Sequence, residues 1–278
     1  MQIGIFPVLA LAFPIALGCS PERSVPIAFA GSAPSPAPPA ASPVPVPSAP
    51  TTAAPEPAPA SPEPSLPAGI EPGAFTSLEV PGDADVAVSH GRAGTRRAIV
   101  YLHGACGDLR APGAWSSASV EVGTLIALRG DRSCGEHHRY YWGPDTRRLE
   151  GRVRAALARV AEVRGSEFAP DDVVLMGYSQ GATRAQELHA GHPELYPRVI
   201  LAGIPVAPSA RHLAGARAVA VLGGQLELTT HMKTGVWALE AHDIPVFFAL
   251  FPRAAHGEFG PEAERVMREA FEWLLAQP

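Results

Sequence analysis

Cysteine is scarce in this chain: Cys19, Cys106 and Cys134 are the only three in 278 residues, leaving room for at most one internal bridge once Cys19 is set apart. Basic residues form no cluster and the formal net charge is -5, so there is no electrostatic footprint for nucleic acid. No apolar run has the length of an uninterrupted membrane span: Met1 to Gly18 is short and is broken by Pro7 and Pro14. From Gly31 to about Pro72 the chain has few aliphatic residues and therefore nothing from which to build a core.

What that stretch does contain is proline, alanine and serine, with about half of the chain's 31 prolines. Repeated proline removes amide donors and favours extended backbone, which predicts a semi-stiff, unfolded spacer over residues 20–72. Ahead of it, the apolar segment reads as an export signal over residues 1–19. Ala16-Leu17-Gly18-Cys19 resembles a bacterial lipoprotein processing box, in which Cys19 would carry lipid and become the mature N-terminus. Two departures stand against that reading: no Lys or Arg precedes the apolar run, and Ala16 occupies a position usually held by Leu. Soluble secretion and a retained anchor are the alternatives, and all three place the globular part outside the cytoplasm, in the envelope or periplasm of a bacterium or beyond it. In an oxidising compartment Cys106 and Cys134 are most simply a disulfide, the alternative being two unrelated buried thiols.

Residues 73–278 alternate short apolar runs with amphipathic stretches, the pattern of parallel strands joined by crossover helices. Strands are predicted at 77–80, 86–89, 98–102, 124–128, 173–176, 199–202, 218–222 and 246–251. Helices are predicted at 146–164, 180–190, 230–241 and 262–276. Several strand segments are almost entirely apolar, as a sheet covered on both faces requires. In the first helix Leu149, Val153, Ala156, Leu157 and Val160 recur at helical spacing, with arginines on the other face.

The most specific segment is Gly177-Tyr178-Ser179-Gln180-Gly181, lying between the apolar run Val173-Val174-Leu175-Met176 and a helix-prone stretch. A strand that turns at once into a helix strains its central residue and needs small neighbours two positions away on each side. It also exposes the Ser179 hydroxyl beside unpaired N–H groups at the helix start. His103-Gly104-Ala105 ends another strand at the same sheet edge, so the main-chain N–H groups of Ala105 and Gln180 are the expected oxyanion donors, while the His103 ring serves to hold its loop. Serine needs a base, and His256 in Ala255-His256-Gly257 follows the last strong strand at that edge. His90, His212 and His242 lack such a setting. The pair His137-His138 next to Cys134 suggests a metal ligand set but has no spaced partner to complete it, so no metal is expected. Glu227, in the loop after 218–222, is the leading candidate to orient the base, with Asp243 and Glu258 in reserve. Tyr140, Tyr141 and Trp142 either line a pocket or are core aromatics.

Taken together, Ser179, Glu227 and His256 in that chain order, the elbow and His103-Gly104 upstream resemble the α/β-hydrolase superfamily, with the compact size and the Ala255-His256-Gly257 loop similar to its dienelactone-hydrolase and prolyl-oligopeptidase-type branches. The resemblance implies an α/β fold with a mostly parallel sheet of about eight strands flanked by helices; the sequence departs from the family in having no evident large cap between the elbow and His256. The resemblance further implies ester, thioester or amide hydrolysis through an acyl-enzyme, and the leading expectation is a monomeric serine carboxylesterase acting on small ester or acyl substrates without a cofactor. A peptidase or amidase on the same machinery, and a binding protein that keeps the scaffold without turnover, are the competing expectations. Glu227 stands where Asp is commoner, and Ala105-Cys106 replaces the HGGG-type loop.

Overall fold

A computed structural model describes residues 65–135 and 138–278. The export segment, Cys19, most of the spacer and His137 lie outside the described residues. The described chain begins inside the segment assigned to the spacer, and Ile70 there is already partly buried, its N–H bonded to the carbonyl of Pro67 at 3.2 Å.

Ten strands and five α-helices follow: β1 Phe75–Leu78, β2 Val86–Ser89, β3 Ala98–Leu102, α1 Ser116–Val120, β4 Thr124–Leu128, β5 Arg132–Ser133, β6 Tyr140–Tyr141, α2 Thr146–Arg164, β7 Val174–Tyr178, α3 Gln180–Gly191, β8 Arg198–Ala202, β9 Ala218–Gly224, α4 Thr230–Glu240, β10 Val246–Phe251 and α5 Ala263–Ala276. Eight of the strands form one sheet in the order β1-β2-β4-β3-β7-β8-β9-β10, and β5 pairs with β6 as a separate hairpin. Pairing is parallel from β4 through β10, whereas β1–β2 and β2–β4 are antiparallel.

Strand alternation builds two cores. Ala98, Val100 and Leu102 of β3 join Leu175, Val199, Leu201, Val219 and Val221 on the face covered by α2, α3 and α4. Ile99 and Tyr101 join Val174, Met176, Ile200, Ala220 and Leu222 on the face covered by α1 and α5. Because side chains of successive strand residues leave opposite faces, an all-apolar run is what a doubly covered sheet needs.

The expected elements are present, with shifted ends. The first strand covers 75–78 instead of 77–80, and β7 and β9 run two residues further than predicted, which carries their backbone up to Ser179 and to the turn before Glu227. The short helix α1 and the β5–β6 hairpin were not expected. Helix α2 starts at Asp145, whose Oδ1 accepts from the Arg148 N–H at 3.0 Å, and ends on Gly165 with φ 69°. Its last arginine departs from the expected exposed stripe: Arg164 is buried, donating to the carbonyls of Gly91, Arg92 and Thr95 and to the hydroxyls of Thr95 and Thr124. Those acceptors let the guanidinium leave water.

Candidate active site

Ser179 is the single residue between β7 and α3, and its backbone lies at φ 52°, ψ -116°, a conformation that costs a β-carbon-bearing residue strain. Close approach explains the two glycines. A Cβ on Gly177 would stand 2.2 Å from the Gly181 carbonyl oxygen, and one on Gly181 would stand 2.0 Å from that of Leu102 in β3. The turn is pinned by the Ser179 N–H, which donates to Ala202 of β8 at 2.8 Å, and by the Ser179 carbonyl, which accepts from Ala182 at 3.0 Å and Thr183 at 3.3 Å.

His256 comes from the loop after β10. Its Nε2 lies 3.0 Å from the Ser179 Oγ and its Nδ1 lies 2.7 Å from the Glu227 Oε2. With the ring neutral and the carboxylate ionised, one arrangement of protons satisfies both contacts: the hydroxyl donates to Nε2, and Nδ1–H donates to the carboxylate. Glu227 is nearly buried, with 9% of its side chain exposed against 49% for His256. Its other oxygen, Oε1, accepts from the Gly224 N–H, and its turn is tied to the histidine loop by the Leu226 N–H, which donates to Ala254 at 2.9 Å. The carboxylate is thus held at both oxygens. Neither reserve reaches the ring: Asp243 precedes β10, at the opposite end of that strand from His256, and the Oε2 of Glu258 accepts from the Ala255 N–H at 2.9 Å.

The loop after β3 forms the facing wall. His103 is buried, its Nε2 accepting from the Gly130 N–H at 2.9 Å while Nδ1 donates to the Gly104 carbonyl at 2.6 Å. Burial lowers its pKa, which keeps Nε2 free to accept. The main-chain N–H groups of Ala105 and Gln180 donate no intramolecular hydrogen bond among the described residues. Ala105 lines a cavity of about 340 Å³ together with Ser179, His256 and Gly257. Cys106 is bridged to Cys134, with Cα atoms 5.7 Å apart. The pairing withdraws Cys134 from any ligand set with the neighbouring histidines.

Sequence reasoning missed three supports. The Tyr178 hydroxyl accepts from the Gly257 N–H at 2.5 Å, and its ring packs 5.6 Å from the His256 ring. The Gln180 side chain binds the backbone of Trp142 twice, accepting from its N–H at 3.0 Å and donating to its carbonyl at 3.2 Å. Trp142 is buried and donates its indole N–H to the His103 carbonyl at 2.7 Å, which makes it a core aromatic, while Tyr141 is 39% exposed. Tyr178 and Gln180 stand inside the elbow segment, but nothing local in the sequence indicates partners 38 or 79 residues away.

A mostly parallel sheet with a strand, sharp elbow and helix at its centre, and four loops carrying the candidate residues at the C-terminal ends of β3, β7, β9 and β10, decides the architecture. The fold is that of the α/β hydrolases. Solved structures with this α/β-hydrolase fold superpose on most of the chain. The fluorophosphonate-binding serine hydrolase F of Staphylococcus aureus matches with TM-score 0.55 at 11% identity, covering 74% of this chain and 99% of that one. An α/β serine hydrolase without a lid from Xanthomonas campestris matches with TM-score 0.50 at 18% identity, covering 74% and 97%. An S-formylglutathione hydrolase from Agrobacterium tumefaciens matches with TM-score 0.50 at 14% identity, covering 73% and 94%. No family model matches the sequence, and no curated protein matches it. The described α/β-hydrolase domain carries no large cap: between Ser179 and His256 the chain is accounted for by α3, β8, β9, α4 and β10 with their loops.

Proposed function

We propose that this protein is an exported serine hydrolase that cleaves carboxylic esters through an acyl-enzyme. One observation carries the reading: the uninterrupted chain of contacts Ser179 Oγ, His256 Nε2, His256 Nδ1, Glu227 Oε2, drawn from three loops at one sheet edge. Free serine is a poor nucleophile, and a neutral imidazole at 3.0 Å is placed to take its proton as the oxygen attacks the ester carbonyl. The Glu227 carboxylate then faces the ring proton on Nδ1 and stabilises the imidazolium. Negative charge on the tetrahedral oxygen falls to the Gln180 and Ala105 N–H groups, unpaired in the resting structure and therefore available without rearrangement. His256 returns its proton to the alkoxide leaving group, and a water activated by the same ring hydrolyses the acyl-serine.

Export rests on the apolar N-terminal segment and the proline-rich spacer, and lipidation on Cys19, which would tether the domain to the envelope. Incorporation of labelled palmitate into the wild type but not into Cys19→Ala is the expected outcome for that part.

The catalytic reading is tested by reaction with a fluorophosphonate followed by peptide mapping. The label is expected on Ser179, and Ser179→Ala is expected to lose p-nitrophenyl ester hydrolysis by a factor of at least about 10³ with an unchanged circular-dichroism spectrum. Retained activity in that variant would end the proposal. Faster cleavage of an amide than of the ester with the same acyl group would replace the ester reading with that of an amidase.

A further inference from the structure

A second cavity of about 340 Å³ is lined in part by His103 and Gly107, which flank the segment that contains Ala105 and Cys106. It shares His103, Gly107 and Asp108 with the cavity at Ser179, so the two adjoin. Its volume is at the lower end of the range for small-molecule sites, about 300–1,000 Å³.

The charges around it are balanced and not consumed by one another. Arg110 and Arg129 both line it, and neither guanidinium makes an ion pair or a hydrogen bond among the described residues. Arg129 is partly buried, its Nε is enclosed without a partner, and its guanidinium lies 4.5 Å over the ring of Tyr140. Asp85 and Asp108 line the cavity as well. Among the described residues the Asp85 carboxylate accepts only from the Ser77 hydroxyl at 3.3 Å, and the Asp108 carboxylate only from the Arg110 main-chain N–H at 2.8 Å, so both keep acceptor sites. The half-buried rings of Phe75 and Tyr140 supply apolar wall.

An anionic ligand would gain from two guanidiniums and lose to two carboxylates, and a cation would meet the reverse. A neutral polyol uses all four, because each hydroxyl both donates to a carboxylate and accepts from a guanidinium while its C–H faces lie against the rings. We infer that this cavity is the leaving-group subsite for a glycosyl unit, so that the substrates are O-acylated sugars. The inference rests on the ester-hydrolase reading for its chemistry and on this cavity for its specificity. In the reaction the acyl C–O bond breaks at Ser179, the acyl group passes to the serine oxygen, and the sugar hydroxyl leaves with the proton from His256.

The test compares kcat/KM of the full-length protein for 6-O-acetyl-glucose and for p-nitrophenyl acetate, alongside binding of methyl glucoside by saturation-transfer NMR. Asp85→Asn and Arg110→Ala replace exposed side chains. Each is expected to lower the sugar-ester to p-nitrophenyl-ester ratio by about tenfold, the size of one lost hydrogen bond to a charged group, and to weaken the methyl glucoside signal. A ratio unchanged in both variants, absence of methyl glucoside binding to the wild type, or a preference for an ester whose alcohol carries a carboxylate or phosphate would overturn the subsite. If the wild type reacts with neither ester nor fluorophosphonate, the hydrolase reading fails instead. Methyl glucoside binding lost in Arg110→Ala would then still establish the cavity as a sugar site.

Discussion

The hydroxyl of Tyr178 accepts a hydrogen bond from the main-chain N–H of Gly257 at 2.5 Å, so the residue before Ser179 holds the residue after His256. The two loops come from different strands, and this contact ties them at the point where the serine and imidazole meet. Burial pushes the Tyr178 pKa up to about 12, so the phenol stays neutral over the working range.

Tyr178→Phe removes that acceptor and leaves the Gly257 N–H unpaired, while the ring packing on His256 and Phe259 remains. The expected result is a fall in kcat of about tenfold with KM within about twofold, because the ring shifts relative to Ser179 without altering the substrate walls. A merely structural role predicts a lower melting temperature with kcat unchanged, and steady-state kinetics beside calorimetry separates the two.

The Cys106–Cys134 bridge fastens the Ala105 loop to the β5–β6 hairpin, where Arg139 also donates to the Cys106 carbonyl at 3.2 Å. Closing a loop with a sequence separation of 28 corresponds to about 3.6 kcal/mol in the chain-entropy model. A double Cys→Ser variant is expected to keep native far-UV circular dichroism, to melt several degrees lower, and to lose kcat by about tenfold as Ala105, the proposed oxyanion donor, gains freedom. Unchanged turnover in the variant would show that the bridge has no part in placing Ala105.

Two glycines are expected to respond in opposite directions to the same change. Gly181→Ala drives a Cβ to 2.0 Å from the Leu102 carbonyl oxygen, backbone that cannot yield, and is expected to cost about 3 kcal/mol or more or to abolish soluble expression. Gly151 lies exposed within α2 with open space at its Cβ position, so Gly151→Ala is expected to add about 0.5–1 kcal/mol. Chemical denaturation of the two variants beside the wild type measures both.

Acid is expected to destabilise the domain through its buried imidazoles. Burial lowers the pKa of His103 and of His90 below the ordinary 6.5, with the Arg164 charge a further cause for His90. The unfolded chain then binds protons more readily than the folded one. Stability is complete above pH 6.5 and declines as the pH falls from there toward the lowered folded values. NMR titration is expected to show the His103 ring neutral at pH 6.5; a midpoint at or above that pH would contradict this. Protonation also removes the acceptor for the Gly130 N–H, so the same window governs the loop beside Ala105.

Much of this arrangement was legible before any coordinates. The apolar runs of β3, β4, β7 and β9 announce a sheet covered on both sides, and Gly177-Tyr178-Ser179-Gln180-Gly181 announces a strand-to-helix elbow, because both patterns are imposed by neighbours in the chain. The β5–β6 hairpin escaped notice because it has two residues per strand and no alternation to read. Helix α1 is five residues rich in serine, below the length at which a helical period emerges. Arg164 looked like one more solvent-facing arginine until the carbonyls of residues 91, 92 and 95 converged on it.

What the sequence alone determined, then, is the local stereochemistry: where backbone must lack a β-carbon, which segments must be buried on two faces, and which serine stands at a sharp turn. Only the tertiary structure decided which carboxylate meets His256, that Trp142 is core, that Cys106 and Cys134 join, and that a balanced pair of guanidiniums and carboxylates lines one cavity. The division is physical. Sterics act between residues a few positions apart and are written in the chain, whereas hydrogen-bond pairing across 29 or 77 residues depends on where the β9 and β10 loops end after the sheet has closed.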